Sequence, residues 1–335
     1  MKRRPMALAV PLVLAITAAC GGGGSTADRG RVGPVETTTS VVTSGTYPLT
    51  GMPADPNKAR RRAVAVKIDN AAASRPQSGL DRADVIYEEF TEGITRLVVL
   101  FHSSDAPFVG AVRSVRPADA NIVKPFGGPL VFSGGSPPVL DVIRAAGVTQ
   151  VTETARDTLR RRSGRRAPHN LYSDTESMFR KAGAGAPPPV FSPFLLPGET
   201  GAPAGATPAA SVRLAPAPKV NAAYQWDPGA GVWKRSTDGR AHMLEGGAQI
   251  SPKNVIVQFT RYSGFEADRK VRFPEVVGSG DALIFLNGTQ VKARWTKASP
   301  GDMTSYADSA GKPIALTPGQ TWVHLQEPGS AVTVA

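Results

Sequence analysis

The chain has one cysteine, Cys20, in 335 residues. No disulfide can brace its folded part, and with Cys20 committed elsewhere no thiol remains there for catalysis or metal binding. Histidine is also scarce. His102, His169, His242 and His324 are the full set, and none falls in an HExxH or paired-histidine spacing, so no metal site is expected. Phosphate-loop and dinucleotide fingerprints are missing, and no cofactor is expected. No apolar run beyond the first twenty residues reaches the ~18 needed to span a bilayer, so the rest of the chain is expected to be soluble.

What is present begins at the N-terminus. Met1-Lys2-Arg3-Arg4, an apolar stretch from Met6 to Ile16 and Thr17-Ala18-Ala19 have the order of an export signal with a small-residue cleavage site. A cysteine directly after that site, followed by Gly21 to Gly24, reads as the lipidation point of a bacterial lipoprotein. Residues 1–19 are then the signal peptide and Cys20 the first mature residue, held to the outer face of the cytoplasmic membrane by palmitate-type acylation. Thr17 stands where an aliphatic residue is usual, which leaves a plain secretory signal open. A retained membrane helix is disfavoured by the short apolar run.

Removing the signal leaves 36 basic against 27 acidic residues. Outside the cell the anions within reach are lipid headgroups and wall polymers, so nucleic acid is not an expected partner. Residues 20–46, rich in Gly, Ser and Thr, read as a flexible tether spanning about 25–30 Å.

The remaining chain divides by texture. Residues 47–186 carry β-runs (Ala63–Asn70, Asp84–Phe90, Ile94–Phe101, Gly110–Arg113 and Pro129–Phe132) mixed with helix signals. Thr91-Glu92-Gly93 predicts a hairpin. Ser136-Pro137 opens a helix closed by Gly147, Ser173-Asp174-Thr175-Glu176 opens another closed by Gly183, and Pro117 to Val123 is a third candidate. An α/β domain with a mixed sheet covered by helices is expected. Residues 187–219, heavy in Pro, Ala and Gly, read as a linker or long loop. Residues 220–335 hold short strands between turns, Asn287-Gly288 foremost, and predict a mainly β domain, a small sandwich or barrel. The class is therefore α+β.

Several stretches resemble the YerB-like bacterial lipoproteins. They include Pro48-Leu49-Thr50-Gly51, Val66-Lys67-Ile68-Asp69-Asn70, Arg75-Pro76-Gln77-Ser78-Gly79-Leu80 and Ala83-Asp84-Val85-Ile86-Tyr87-Glu88. Gly110 to Pro117 (GAVRSVRP), Ser133-Gly134-Gly135, Ala167-Pro168-His169-Asn170-Leu171-Tyr172 and Pro318-Gly319-Gln320-Thr321-Trp322 continue the series. The resemblance runs in order over residues 48–327. It implies a two-domain extracytoplasmic lipoprotein and supplies no reaction.

Polar residues gather where the first domain's strands end: Lys67, Asp69 and Asn70; Glu88 and Glu89; Arg113, Arg116 and Asp119; Ser133-Gly134-Gly135. Open sheets tend to place clefts there. A cleft built from Lys67, Asp69, Arg75, Glu88, Arg96, Arg113, Arg116, Asp119, His169 and Asn170 would hold an anionic ligand or peptide terminus, because guanidinium matches carboxylate and phosphate bidentately. Buried Arg–carboxylate pairs would leave the same sequence pattern. The chain then acts as a membrane-anchored binding or scaffolding protein. Two alternatives stand beside it: a cell-wall hydrolase with Glu88 and Asp119 as acid and base, and a protein-interaction module working through the β-rich domain. The six arginines of residues 156–166 (RDTLRRRSGRR) read as a solvated run or as a contact for anionic lipid or wall polymer.

Overall fold

The computed structural model describes residues 45–196, 199, 202–217 and 220–335. The expected signal peptide, Cys20 and the expected tether up to residue 44 lie outside the described residues. No described helix is long and apolar enough to cross a membrane.

The main sheet draws strands from both halves of the sequence. The first half supplies β1 (Val64–Asp69), β2 (Val85–Thr91), β3 (Ile94–Phe101), β4 (Leu130–Val131) and β5 (Gln150–Val151). The second half supplies two groups. β6 (Ser211–Ala217), β7 (Val220–Asp227), β8 (Val232–Thr237) and β16 (Val332–Val334) build a separate five-stranded sheet, with Arg240–Ala241 at its edge. β9 (Asn254–Phe259), β12 (Gly278–Leu286), β13 (Thr289–Lys297), β14 (Ser305–Ala307) and β15 (Thr321–Gln326) join the main sheet, while β10 (Tyr262–Phe265) and β11 (Asp268–Pro274) form a hairpin apart. The main order is β14-β13-β12-β9-β15-β2-β3-β1-β4-β5. At its centre β15 runs parallel to β2, with Val85 opposite Thr321 and Glu89 opposite Leu325, and also parallel to β9.

Both faces of this sheet are covered, which explains the apolar runs. Val98 and Leu100 point into a core shared with α1 (Pro117–Val123) and α2 (Pro137–Ala145). Leu97, Val99 and Phe101 point into the opposite core, where Val212, Leu214, Tyr224 and Trp233 of the small sheet meet Trp322. A strand buried on both sides loses the alternation of a half-exposed one.

Local signals act as expected. Glu92 and Gly93 have φ of 51° and 85°, and Asn287 and Gly288 have 48° and 69°, which are two-residue hairpin turns of the type that needs positive φ twice. The helix α3 (Thr175–Ala182) is capped by Asp174, whose carboxylate accepts from the Ser177 amide at 2.7 Å. Ser173, one residue earlier, instead donates its hydroxyl to the Thr158 carbonyl.

The α/β character of the first half and the mainly β second half hold. The second half does not close on itself as a sandwich or barrel, however; five of its strands extend the sheet begun by the first. Described parts of residues 187–219 pack against the body. Phe191 is buried and donates its N–H to the Pro48 carbonyl at 2.9 Å, and Ser211 to Ala217 form β6.

Because β15 fills the place beside β2, residues 47–210 produced alone would leave β2 as an open edge bearing Ile86 and Tyr87. Such an edge templates further pairing. That fragment is expected to self-associate on size-exclusion chromatography while residues 45–335 run as a defined species. A monomeric, cooperatively unfolding fragment would refute the shared-sheet account.

Candidate functional site

The polar residues of β2 enter two different cores. Glu88 faces the small sheet and is fully buried with Arg235 of β8, at 3.1 Å. Its carboxylate also accepts from the Thr95 hydroxyl at 2.8 Å, the Trp322 indole N–H at 2.9 Å and the Asn70 amide at 3.2 Å. Burial alone would raise the Glu88 pKa, but Arg235, His324 and these hydrogen bonds outweigh it and hold the group at about 2. Arg235 lies over the Trp322 ring at 4.4 Å and donates to the Tyr224 hydroxyl at 2.5 Å. His324 and His242 complete the cluster. Burial first, opposed at His324 by Glu88 and reinforced at His242 by Arg235, depresses both to about 3, so both are neutral near pH 7.

Glu89 and Lys67 lie in a second buried cluster. Lys67 donates to Glu89 and, at 2.7 Å, to Asp119. Asp119, at the third position of α1, also accepts the Arg116 amide at 2.7 Å. Burial, with Asp119 nearby, pushes Glu89 up to about 7 despite the pull of Lys67.

The remaining charges reach the surface beyond the C-terminal ends of β1 and β4. Asp69, the last residue of β1, is buried and takes His169 Nδ1 at 2.7 Å and Arg113 Nε at 3.0 Å. Arg96 stands opposite Asp69 in the β1–β3 register and donates to the Ser114 carbonyl at 3.1 Å. Arg96 and Arg116 share Glu92, with Arg116 Nη2 reaching both of its oxygens at 2.6 Å. Three guanidinium groups thus divide two carboxylates at this rim. Desolvation, and then the neighbouring charge of Arg116, lower the Arg96 pKa to about 10. Ser114 and Ser133 meet at 3.3 Å beside Arg113. On the Arg116 side of Ser114, and not lined by Arg113 or His169, a cavity of about 250 Å³ opens between Arg116, Gly135 and Ser136 and the carboxylates of Glu92 and Asp268.

Arg113 differs from its neighbours. Its side chain is 24% exposed, its buried Nε lies 3.0 Å from Asp69 without a hydrogen bond, and its two terminal nitrogens donate to no described residue. His169, 21% exposed, is oriented by the same Asp69 oxygen. Such a fork can receive two oxygens of a carboxylate or phosphate.

The ten residues singled out from sequence therefore separate. Asp69, Arg96, Arg113, Arg116 and His169 come together at the rim. Lys67, Glu88 and Asp119 are spent in buried pairs. Arg75 pairs with Asp238 at 3.0 Å, and Asn170 accepts from Arg161 at 2.7 Å. Glu88 and Asp119 do not fit the acid–base pair of a hydrolase: both are buried, and each is neutralised by a different cation. In the arginine run, Arg160, Arg161 and Arg162 pair with Asp174, Glu153 and Glu245, and Arg165 donates to the Pro76 carbonyl. Arg156 and Arg166 remain exposed with no partner named among the described residues. Arg235 escaped the sequence reading because it follows Lys234 directly, and two adjacent charges in a short strand look like turn-flanking surface. Its parity with Trp233 and Thr237 was the available signal.

Residues 49–186 match the model of the N-terminal domain of a protein of unknown function (DUF3048), and residues 211–323 match that family's C-terminal domain. A Bacillus subtilis (strain 168) protein named "Putative lipoprotein YerB" is 26% identical over 285 residues, covering 83% of this chain and 85% of the relative. The crystal structure of the YerB protein from Bacillus subtilis superposes with a TM-score of 0.75 at 24% identity, over 87% of this chain and 99% of the other. That structural likeness carries the fold.

Removing one partner of a fully buried ion pair strands the other. Arg235→Met is expected to cost about 3–5 kcal/mol in denaturant unfolding, and adding Glu88→Gln should recover part of the loss. Strictly additive losses would show that the two side chains do not act as a pair.

Proposed function

The chain belongs to the DUF3048 family of two-domain proteins, and from that premise we propose that it is a lipid-anchored envelope protein that binds an anionic ligand at Arg113. The observation that carries the reading is the outward fork of Arg113, held from behind by Asp69 with its terminal nitrogens unengaged among the described residues. Arg96 and Arg116 add positive potential behind it, and the hydroxyls of Ser114 and Ser133 stand within reach as donors. This grouping suits a carboxylate or a phosphate, the head of a peptide terminus or of a wall polymer. His169, its Nδ1 turned toward Asp69, closes one side of the site.

Anchoring rests on Cys20 and the signal-like residues 1–19, and the lipoprotein name carried by the Bacillus relative supports it. Lipid attachment would keep the body within about 25–30 Å of an anionic surface. Arg156 and Arg166 are the members of the arginine run left to touch that surface.

Calorimetric titration with inorganic phosphate and, separately, N-acetylglycine tests the ligand class. One of the two is expected to bind, and Arg113→Ala should weaken it at least about tenfold, the worth of a charged hydrogen bond. The melting temperature should fall only modestly, because the buried Asp69 carboxylate that loses Arg113 keeps His169 and the Ala71 amide as partners. If Arg113→Ala unfolds the protein, or if neither probe binds, the rim is structural. For the anchor, radiolabelled palmitate should mark the protein in growing cells and be absent from Cys20→Ala; label persisting in that variant would overturn the assignment.

A further inference from the structure

A groove between the end of β15 and the β6 edge of the small sheet is lined by an amide without a partner. Gln326 closes β15 and points its side chain to the same face as Trp322 and His324, toward the small sheet. It is 2% exposed, yet neither its Nε2 nor its Oε1 has a hydrogen-bond partner among the described residues. Buried carboxamides are almost always satisfied, because an unmet donor and acceptor forfeit what water would have given them. Gln326 lines a groove of about 590 Å³, within the size range of ligand sites.

The groove has a defined chemistry. Phe90 and Tyr262 form its apolar floor beside Gln326 and the Leu325 backbone, and Pro216 stands on the opposite wall. The Tyr262 hydroxyl is already used, accepting from the Phe90 amide at 3.0 Å and donating to the Leu325 carbonyl at 2.8 Å. Arg272 and Glu327 close the rim by pairing with each other at 2.6 Å. The wall is also a sheet edge. β6 pairs with β16 only as far as Leu214 opposite Val332, and a bulge between Leu214 and Ala217 shifts its register against β7. Bulges of this kind re-aim backbone and end pairing beside sites of contact.

We infer that this groove binds a peptide segment in extended conformation, whose backbone amide pairs with the Gln326 carboxamide. One residue of an extended chain offers an N–H and a C=O on the same side, the pair that such a carboxamide lacks, and an apolar side chain next to it meets Phe90. The terminal torsion of glutamine is broad, so the amide can turn to face the ligand. Main-chain pairing along the free part of β6 would extend the contact, as in other strand-addition modes. The site is separate from Arg113 and does not depend on the anion-binding reading.

The test uses residues 45–335 and a blocked tetrapeptide, acetyl-Ala-Val-Ala-Val-amide, observed by saturation-transfer NMR, with an N-acetylglucosamine oligomer as the competing amide-bearing probe. Wild type is expected to bind the peptide. Gln326→Leu should lose at least about tenfold in affinity while its melting temperature stays level or rises, because an unsatisfied buried amide has been removed. A purely structural glutamine would give the opposite thermal result. Asn221→Trp, which fills the groove without touching the amide, should abolish binding too. The inference is overturned if the peptide fails to bind, if either variant binds like wild type, or if Gln326→Leu melts lower. Binding of the sugar oligomer in place of the peptide overturns the peptide assignment.

Discussion

Glu88 and Arg235 meet in a region from which water is excluded, one on each side of the seam between two sheets. Neither charge is tolerable there alone. Together, with Trp322, Thr95, Asn70 and Tyr224 filling their remaining hydrogen-bonding positions, they form a polar plug in an otherwise apolar interface. Such pairs contribute little net stability over a hydrophobic replacement. What this one supplies is register, because the small sheet can slide or rotate only by stranding a carboxylate and a guanidinium. The depressed pKa values of His242 and His324 follow from the same enclosure.

That enclosure also sorts the charges of the first half by accessibility. Side chains whose strand parity points them into either core, Lys67 and Glu88 among them, are consumed by partners. Those on the segments between β3 and α1 and between β5 and α3, Arg113 and His169, keep a polar edge at the surface while Asp69 holds them from below. Structural and surface-facing roles thus fall to neighbouring residues of the same short segments. A charged residue's type says nothing about which role it takes.

This is why the sequence reads well locally and poorly at the site. Glu92-Gly93 and Asn287-Gly288 announce their hairpins through residues that accept positive φ, and Asp238-Gly239 (φ 54° and 76°) makes a further turn of the same kind that went unremarked. The helix of Pro137 to Ala145 is framed by a proline and by Gly147. The doubly apolar run of β3 reports a central strand. None of these signals says which strand lies beside which. The pairing of β2 with β15, the burial of Arg235 and the approach of His169 to Asp69 all depend on contacts between residues a hundred or more positions apart. Such contacts leave no periodicity in a single chain.

The parallel union of β2 and β15 has a consequence for how the molecule comes into being. A chain delivered from its N-terminus presents β1 to β3 early, but the strand that fills the middle of the sheet is residues 321–326. Nucleation near the front cannot reach closure until nearly everything else has arrived, and the loop to be closed is long, so folding is slow to complete. The body therefore stays unlocked until residues 321–326 take their place between β2 and β9, the last major piece of the sheet to be made.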